Sequence, residues 1–116
     1  MIEYKIDDNS NNENLIINIS GVIRSDESLE KFEKLISIVS DKVINNKMNI
    51  FFDFSKIKLI NSSGIGKLLM FNNYLKDHSC KLFLLNVTIS IKQLLKFARV
   101  DESLPMVSSV SEVSNE

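Results

Sequence analysis

The chain is poor in the residues that build special chemistry. It has one cysteine, one histidine, one proline, three glycines and no tryptophan among its 116 residues. A single cysteine, Cys80, excludes an internal disulfide, and with His78 as the only histidine no Cys/His zinc site can be assembled. No Asp/Glu cluster has calcium-loop spacing, so neither a metal nor a cofactor is expected. Charge of one sign is also missing. Fourteen Lys/Arg stand against fifteen Asp/Glu, a net charge of −1, unlike the basic footprint of a nucleic-acid binder. No apolar run approaches the ~18 residues of a membrane span, and Met1-Ile2-Glu3-Tyr4-Lys5 lacks a secretory pattern. The expectation is one cytoplasmic domain over residues 1–116, large enough to fold around its own core.

What is present is alternation between two periods. Ile2, Tyr4 and Ile6 alternate as in a half-buried strand. A polar connector, residues 8–14, leads to a β-branched strand at 15–19 that ends at Ser20-Gly21. Leu29, Phe32, Ile36, Val39 and Val43 recur at threes and fours, which predicts a helix over 26–44, capped by Ser25 or Asp26 and ended by Asn45-Asn46-Lys47. Residues 50–54 (Ile-Phe-Phe-Asp-Phe) are apolar on both faces, as in a central strand. Residues 56–60 read as a link. A second helix is expected from Ser63 or Gly64 to Asp77, then a strand at 81–86. A third helix carries Ile91, Leu94, Leu95 and Ala98 and is capped by Thr88 or Ser90; an edge strand at 106–110 follows Pro105, and the polar tail from 111 frays or forms a helical turn. Strands alternating with helices argue for an α/β layer structure with a partly parallel sheet.

Asn61-Ser62-Ser63-Gly64-Ile65-Gly66 is the most informative stretch. It joins the central strand to a helix, so two hydroxyls sit where unpaired N–H groups and a partial positive charge collect. Serine is a common helix cap, and that role alone accounts for one of the pair. A phosphate on either would be received by the same field and by the N–H groups of residues 63–66, with Lys67 one turn on. A hydrolase would need a base beside the nucleophile. Gly-x-Ser-x-Gly is absent, and His78 lies at the far end of the predicted helix. Neither a P-loop nor Gly-x-Gly-x-x-Gly is present. Asp53 at a strand end reads as a solvated or turn-bonding carboxylate in preference to a metal ligand, and Cys80 as a strand-edge residue.

The segment from Asp53 through Ser62-Ser63-Gly64-Ile65-Gly66 resembles the signature of STAS domains, and more narrowly that of bacterial anti-sigma factor antagonists. Ser20-Gly21-Val22-Ile23 and residues 81–97 fit the same pattern. The resemblance implies a small mixed α/β sheet with helices packed mainly on one face, and a regulatory, non-enzymatic protein. It implies a phosphoacceptor at Ser62, with Ser63 opening the helix and Gly64 leaving room for a partner. The implied partners are an anti-sigma factor that is also a serine kinase, and a serine phosphatase, contacted through Arg24, Ser25, Asn61, Ser62, Ser63, Gly64, Ile65, Gly66 and Lys67. A monomer or weak dimer is expected. Asn61 replaces the family's frequent Asp, and Arg24 stands where many members carry Asp. A STAS module controlling another signalling or lipid-transport complex is the alternative, and a hydrolase using Ser62 the alternative from another class. Loops near 24–25, 61–66 and 88–91 are expected to converge at one end of the sheet.

Overall fold

The computed structural model describes residues 2–43 and 46–113. The elements run β1 (Ile2–Ile6), β2 (Asn14–Ile23), α1 (Glu27–Val43), β3 (Asn49–Ile60), α2 (Ser62–Asp77), β4 (Lys81–Leu85), α3 (Ile89–Phe97) and β5 (Met106–Val107), with 3-10 turns at Val100–Glu102 and Val110–Glu112. The sheet order is β1-β2-β3-β4-β5, with β1 antiparallel to β2 and every later pair parallel. Because spatial order equals chain order, each crossover steps the same way across the sheet. Crossovers of one hand then place all three helices on one face. Phe32 and Leu35 of α1, Leu68, Phe71 and Leu75 of α2, and Ile91 and Leu95 of α3 share one buried cluster with Ile17, Phe52 and Leu84 of the sheet. Phe52 is its hub, 6.2 Å edge-on from Phe32 and 5.6 Å from Phe71.

The opposite face is closed differently. Ile16, Phe51, Phe83 and Leu85 form a second cluster, with Phe51 stacked on Phe83 at 5.2 Å. Val107, Val110 and Val113 lie over it. The C-terminal segment therefore covers apolar surface that the helices cannot reach.

The two central strands are longer than their hydrophobic patterns. β2 does not stop at Ser20-Gly21 but continues to Ile23, and the expected link at 56–60 is the second half of β3. The reason is a pair of bulges. Asn18 faces Asp53 and Ser20 faces Lys56; Gly21 faces Ile57 and Val22 faces Leu59. At each shift β3 advances one residue more than β2. The inward residues Phe54, Ile57 and Ile60, all buried, are thus three apart instead of two. Gly21, at the second shift, has φ 111°, a conformation that a side chain strains.

Smaller differences have local causes. β4 stops at Leu85 because Asn86 turns to φ 56°. β5 spans two residues, and Val110 belongs to the following turn. Cys80 is buried, its thiol 3.1 Å from the Asn46 carbonyl, and does not lie at an exposed strand edge. Asp53 lies within β3 rather than in a turn; at the first bulge its carboxylate accepts from Ser55 N–H at 2.9 Å. Ile44 and Asn45, expected at the end of the first helix, and the last three residues of the tail lie outside the described residues.

Candidate functional site

β3 ends at Ile60, and Asn61 N–H still bonds the Ile23 carbonyl at the end of β2, at 3.0 Å. This fixes where α2 starts. Asn61 is extended (φ −89°, ψ 178°), and its Oδ1 accepts from Gly64 N–H at 3.0 Å. The cap of α2 is therefore Asn61, and neither Ser62 nor Ser63 fills that role; both serines already lie inside the first turn. Asn61 is well suited because its amide also donates. Its Nδ2 reaches Ser25 Oγ at 3.1 Å, and that hydroxyl donates to Ser63 Oγ at 3.0 Å. The relay ties the loop after β2 to the start of α2.

Ser62 is left outside this relay. It is exposed at the first position of α2, and among the described residues its hydroxyl bonds nothing. Gly64 N–H is taken by the cap and Ile65 N–H by the Asn61 carbonyl at 2.9 Å. The N–H groups without an intrahelical acceptor are thus those of Ser62 and Ser63, and the expectation that residues 63–66 supply them is corrected.

Arg24 and Lys67 reach this end of the molecule already paired. Arg24 Nε lies 3.2 Å from Asp26, and Lys67 Nζ lies 3.5 Å from Glu33 of α1. Both pairs are largely solvated, so each cation can be redirected at small cost. Asp26 Oδ1 accepts from the Ser28 hydroxyl at 2.7 Å and from Ser28 N–H at 2.8 Å, which caps α1. These bonds, ahead of the nearby Arg24, hold its carboxyl below the usual aspartate value.

The two glycines have opposite surroundings. A Cβ on Gly64 would lie 2.7 Å from Ile23 Cγ2 and 2.8 Å from Ile60 Cγ1. Gly64 is buried, so what its bareness admits is the protein's own core. A Cβ on Gly66 would meet nothing within 4 Å. Ser62, Gly66 and Met70 fall four residues apart, on one stripe of α2. Met70 is 65% exposed. Met70 is not among the expected contact residues, although its spacing of eight from Ser62 marks it as part of the same helical stripe. Ile65 is buried.

The expected convergence is partial. Ser25 meets Asn61 and Ser63, while Arg24 is bonded to Asp26 and Ser28, and Thr88 and Ser90 line an open hollow of about 840 Å³ with Ser20, Gly21, Val22 and residues 55–58. His78 caps the far end of α2, its Nδ1 2.8 Å from the Tyr74 carbonyl. Sixteen residues of helix place it ~24 Å from Ser62, out of reach as a base. Among the described residues no group of His, Cys, Asp or Glu is arranged to hold a metal ion, and no helix is long and apolar enough to cross a membrane.

The fold has clear relatives. An anti-sigma factor antagonist from Mycobacterium paratuberculosis superposes with a TM-score of 0.79 at 14% identity, over 97% of this chain and 90% of that one. The anti-sigma factor antagonist SpoIIAA in its unphosphorylated form gives 0.72 at 17% identity, over 95% and 90%. SpoIIAA of Bacillus in the phosphorylated form gives 0.66 at 18%, over 95% and 94%. No curated relative matches the sequence. The STAS domain family model matches residues 5–113. With a five-stranded sheet, three helices on one face and this match over nearly its whole length, the chain belongs to the STAS domain family.

Proposed function

We propose that this protein is an anti-sigma factor antagonist. It docks on an anti-sigma factor that is also a serine kinase, is released when that kinase phosphorylates Ser62, and is restored by a serine phosphatase. The observation that carries the reading is the difference between adjacent hydroxyls: Ser63 is engaged by Ser25, and Ser62 is exposed and unengaged. A kinase needs a hydroxyl it can approach without first breaking a bond.

The docking face is the stripe of Ser62, Gly66 and Met70, exposed at both ends and half-buried at Gly66, flanked by Arg24, Ser25, Asn61, Ser63 and Lys67. Methionine adapts its shape to a partner, and a bare Gly66 lets a partner's backbone come close. Gly64 and Ile65 hold the stripe in place from below. A phosphate adds a charge of about −1.5 to −2 at the head of this stripe. Leaving a charge unpaired in an interface costs ~2–5 kcal/mol, a loss of affinity of about thirtyfold to a few thousandfold. The exposed start of α2 accommodates the same group without disturbing the core.

The test is to recover the protein from its native cells, map any phosphate by peptide mass analysis, and identify what co-purifies. Ser62 is the expected modified residue. Ser62→Ala is expected to retain the partner and Ser62→Asp to lose it. A phosphate found elsewhere, or Ser62→Asp holding its partner with unchanged affinity, refutes the reading.

A further inference from the structure

The outer edge of β1 carries a self-complementary pattern. Asp7 N–H bonds the Ile16 carbonyl at 2.8 Å, and the register runs Ile6 to Ile17, Lys5 to Asn18 and Glu3 to Ser20. Antiparallel ladders alternate, so Glu3, Lys5 and Asp7 turn their backbone groups toward β2. Ile2, Tyr4 and Ile6 therefore direct N–H and C=O outward, where no strand lies among the described residues. Their side chains belong to the helix side, with Ile2 and Tyr4 packed on the main core. Glu3 and Lys5 are exposed on the other side.

We infer that this edge pairs with β1 of a second copy of the same chain, antiparallel and centred on Tyr4. Backbone polarity and charge choose that register together. The outward groups require Ile2, Tyr4 and Ile6 to face one another. Centring on Glu3 or on Lys5 keeps that polarity but sets like charges directly opposite, Glu3 on Glu3 or Lys5 on Lys5; centring on Ile6 sets Lys5 against Asp7, but that carboxylate already accepts from Asn18 Nδ2 at 2.9 Å and the pairing runs past the end of β1. Centring on Tyr4 sets Glu3 against Lys5 of the second copy, twice, by two-fold symmetry. These fall at non-hydrogen-bonded positions, where side chains approach most closely. Ile6, 39% exposed, comes opposite Ile2 of the second copy. Lys31 of α1 lies 5.9 Å over the Tyr4 ring, which turns that side of α1 toward the edge. Ile38, 42% exposed and two turns along the same side, extends the apolar margin. The inference is independent of Ser62.

Sedimentation velocity from micromolar to millimolar protein tests it, with circular dichroism to verify folding. Self-association is expected for the unaltered chain, weakening at high salt. Glu3→Lys and Lys5→Glu each turn two attractive pairs into repulsive ones and are expected to weaken it about tenfold. The double exchange Glu3→Lys/Lys5→Glu restores it. An equimolar mixture of the two single variants associates more tightly than either alone, because every cross-strand pair is again opposite in sign. A chain that stays monomeric throughout, or a double exchange that fails to restore association, overturns the inference.

Discussion

The glycines of α2 give the sharpest test of the geometry. Alanine in a helix interior is favoured over glycine by ~0.8–1 kcal/mol, so helix propensity alone predicts that both Gly64→Ala and Gly66→Ala stabilise the protein. At Gly64 a second effect opposes the first. The new methyl would lie 2.7 Å from Ile23 Cγ2 and 2.8 Å from Ile60 Cγ1. Both atoms sit one bond from a Cβ, on β-branched side chains that are stiff at χ1 and almost wholly buried. They cannot swing aside as a chain end would. Overpacking of this kind costs ~1–3 kcal/mol, and two such contacts argue for the upper part of that range. The expected net effect is a loss of about 1–2 kcal/mol for Gly64→Ala and a gain of up to about 1 kcal/mol for Gly66→Ala. For a chain of this length one kcal/mol moves Tm by about 4 °C. Thermal unfolding followed by circular dichroism should place Gly64→Ala about 4–8 °C below the parent and Gly66→Ala up to about 4 °C above it. Equal shifts, or the reverse order, would refute the close packing of α2 against Ile23 and Ile60.

Other outcomes follow from the same contacts. Asn61→Ala removes a cap and the anchor of the Ser25 relay and should cost ~1 kcal/mol or more in denaturant unfolding, while Ser62→Ala should change stability by no more than ~0.5 kcal/mol. Asp26 has a folded pKa below its unfolded one, so its stabilising share is complete above the ordinary aspartate value and lost as pH falls through the folded value. Asp26→Asn should therefore flatten the acid limb of the stability–pH curve, measured by urea unfolding across the acidic range. Truncation before Val110 should uncover the Phe51–Phe83 pair, read as increased binding of an apolar dye and a lower solubility limit. Met70→Lys should leave Tm nearly unchanged and weaken capture of the partner identified from native cells.

Much of the architecture was legible because its signals are local. The spacing of Phe32, Val39 and Val43 on α1 and the unbroken apolar run at 50–54 each describe an element without reference to its neighbours. The second half of β3 is different. Phe54, Ile57 and Ile60 fit neither the period of a flat strand nor that of a helix, and become regular only beside β2, where the bulges absorb the surplus. The helix start was ambiguous for a chemical reason. Asn61, Ser62 and Ser63 are all good caps, and the choice falls to Asn61 because the Ile23 carbonyl holds its N–H. The crowding that sets Gly64 apart from Gly66 comes from Ile60, four positions before it, and from Ile23, forty-one positions before it, which only the folded sheet brings alongside. Glu33 as the counterion of Lys67 is likewise invisible before α1 and α2 are side by side. The cover over the second cluster did leave a trace, three valines at intervals of three (Val107, Val110, Val113), which the expectation of an edge strand obscured.

The two bulges of β3 bear on which length changes this chain can survive. Losing one residue from a central strand normally turns everything downstream inside out. Here twelve residues of β3 run alongside ten of β2. Deleting Ser55 or Lys56 would bring Phe54 and Ile57 to ordinary alternation and leave Ile60, the Asn61 cap and Ser62 at their present level. The strand thus carries slack at its middle, and homologues that are shorter there can keep the serine in place by straightening.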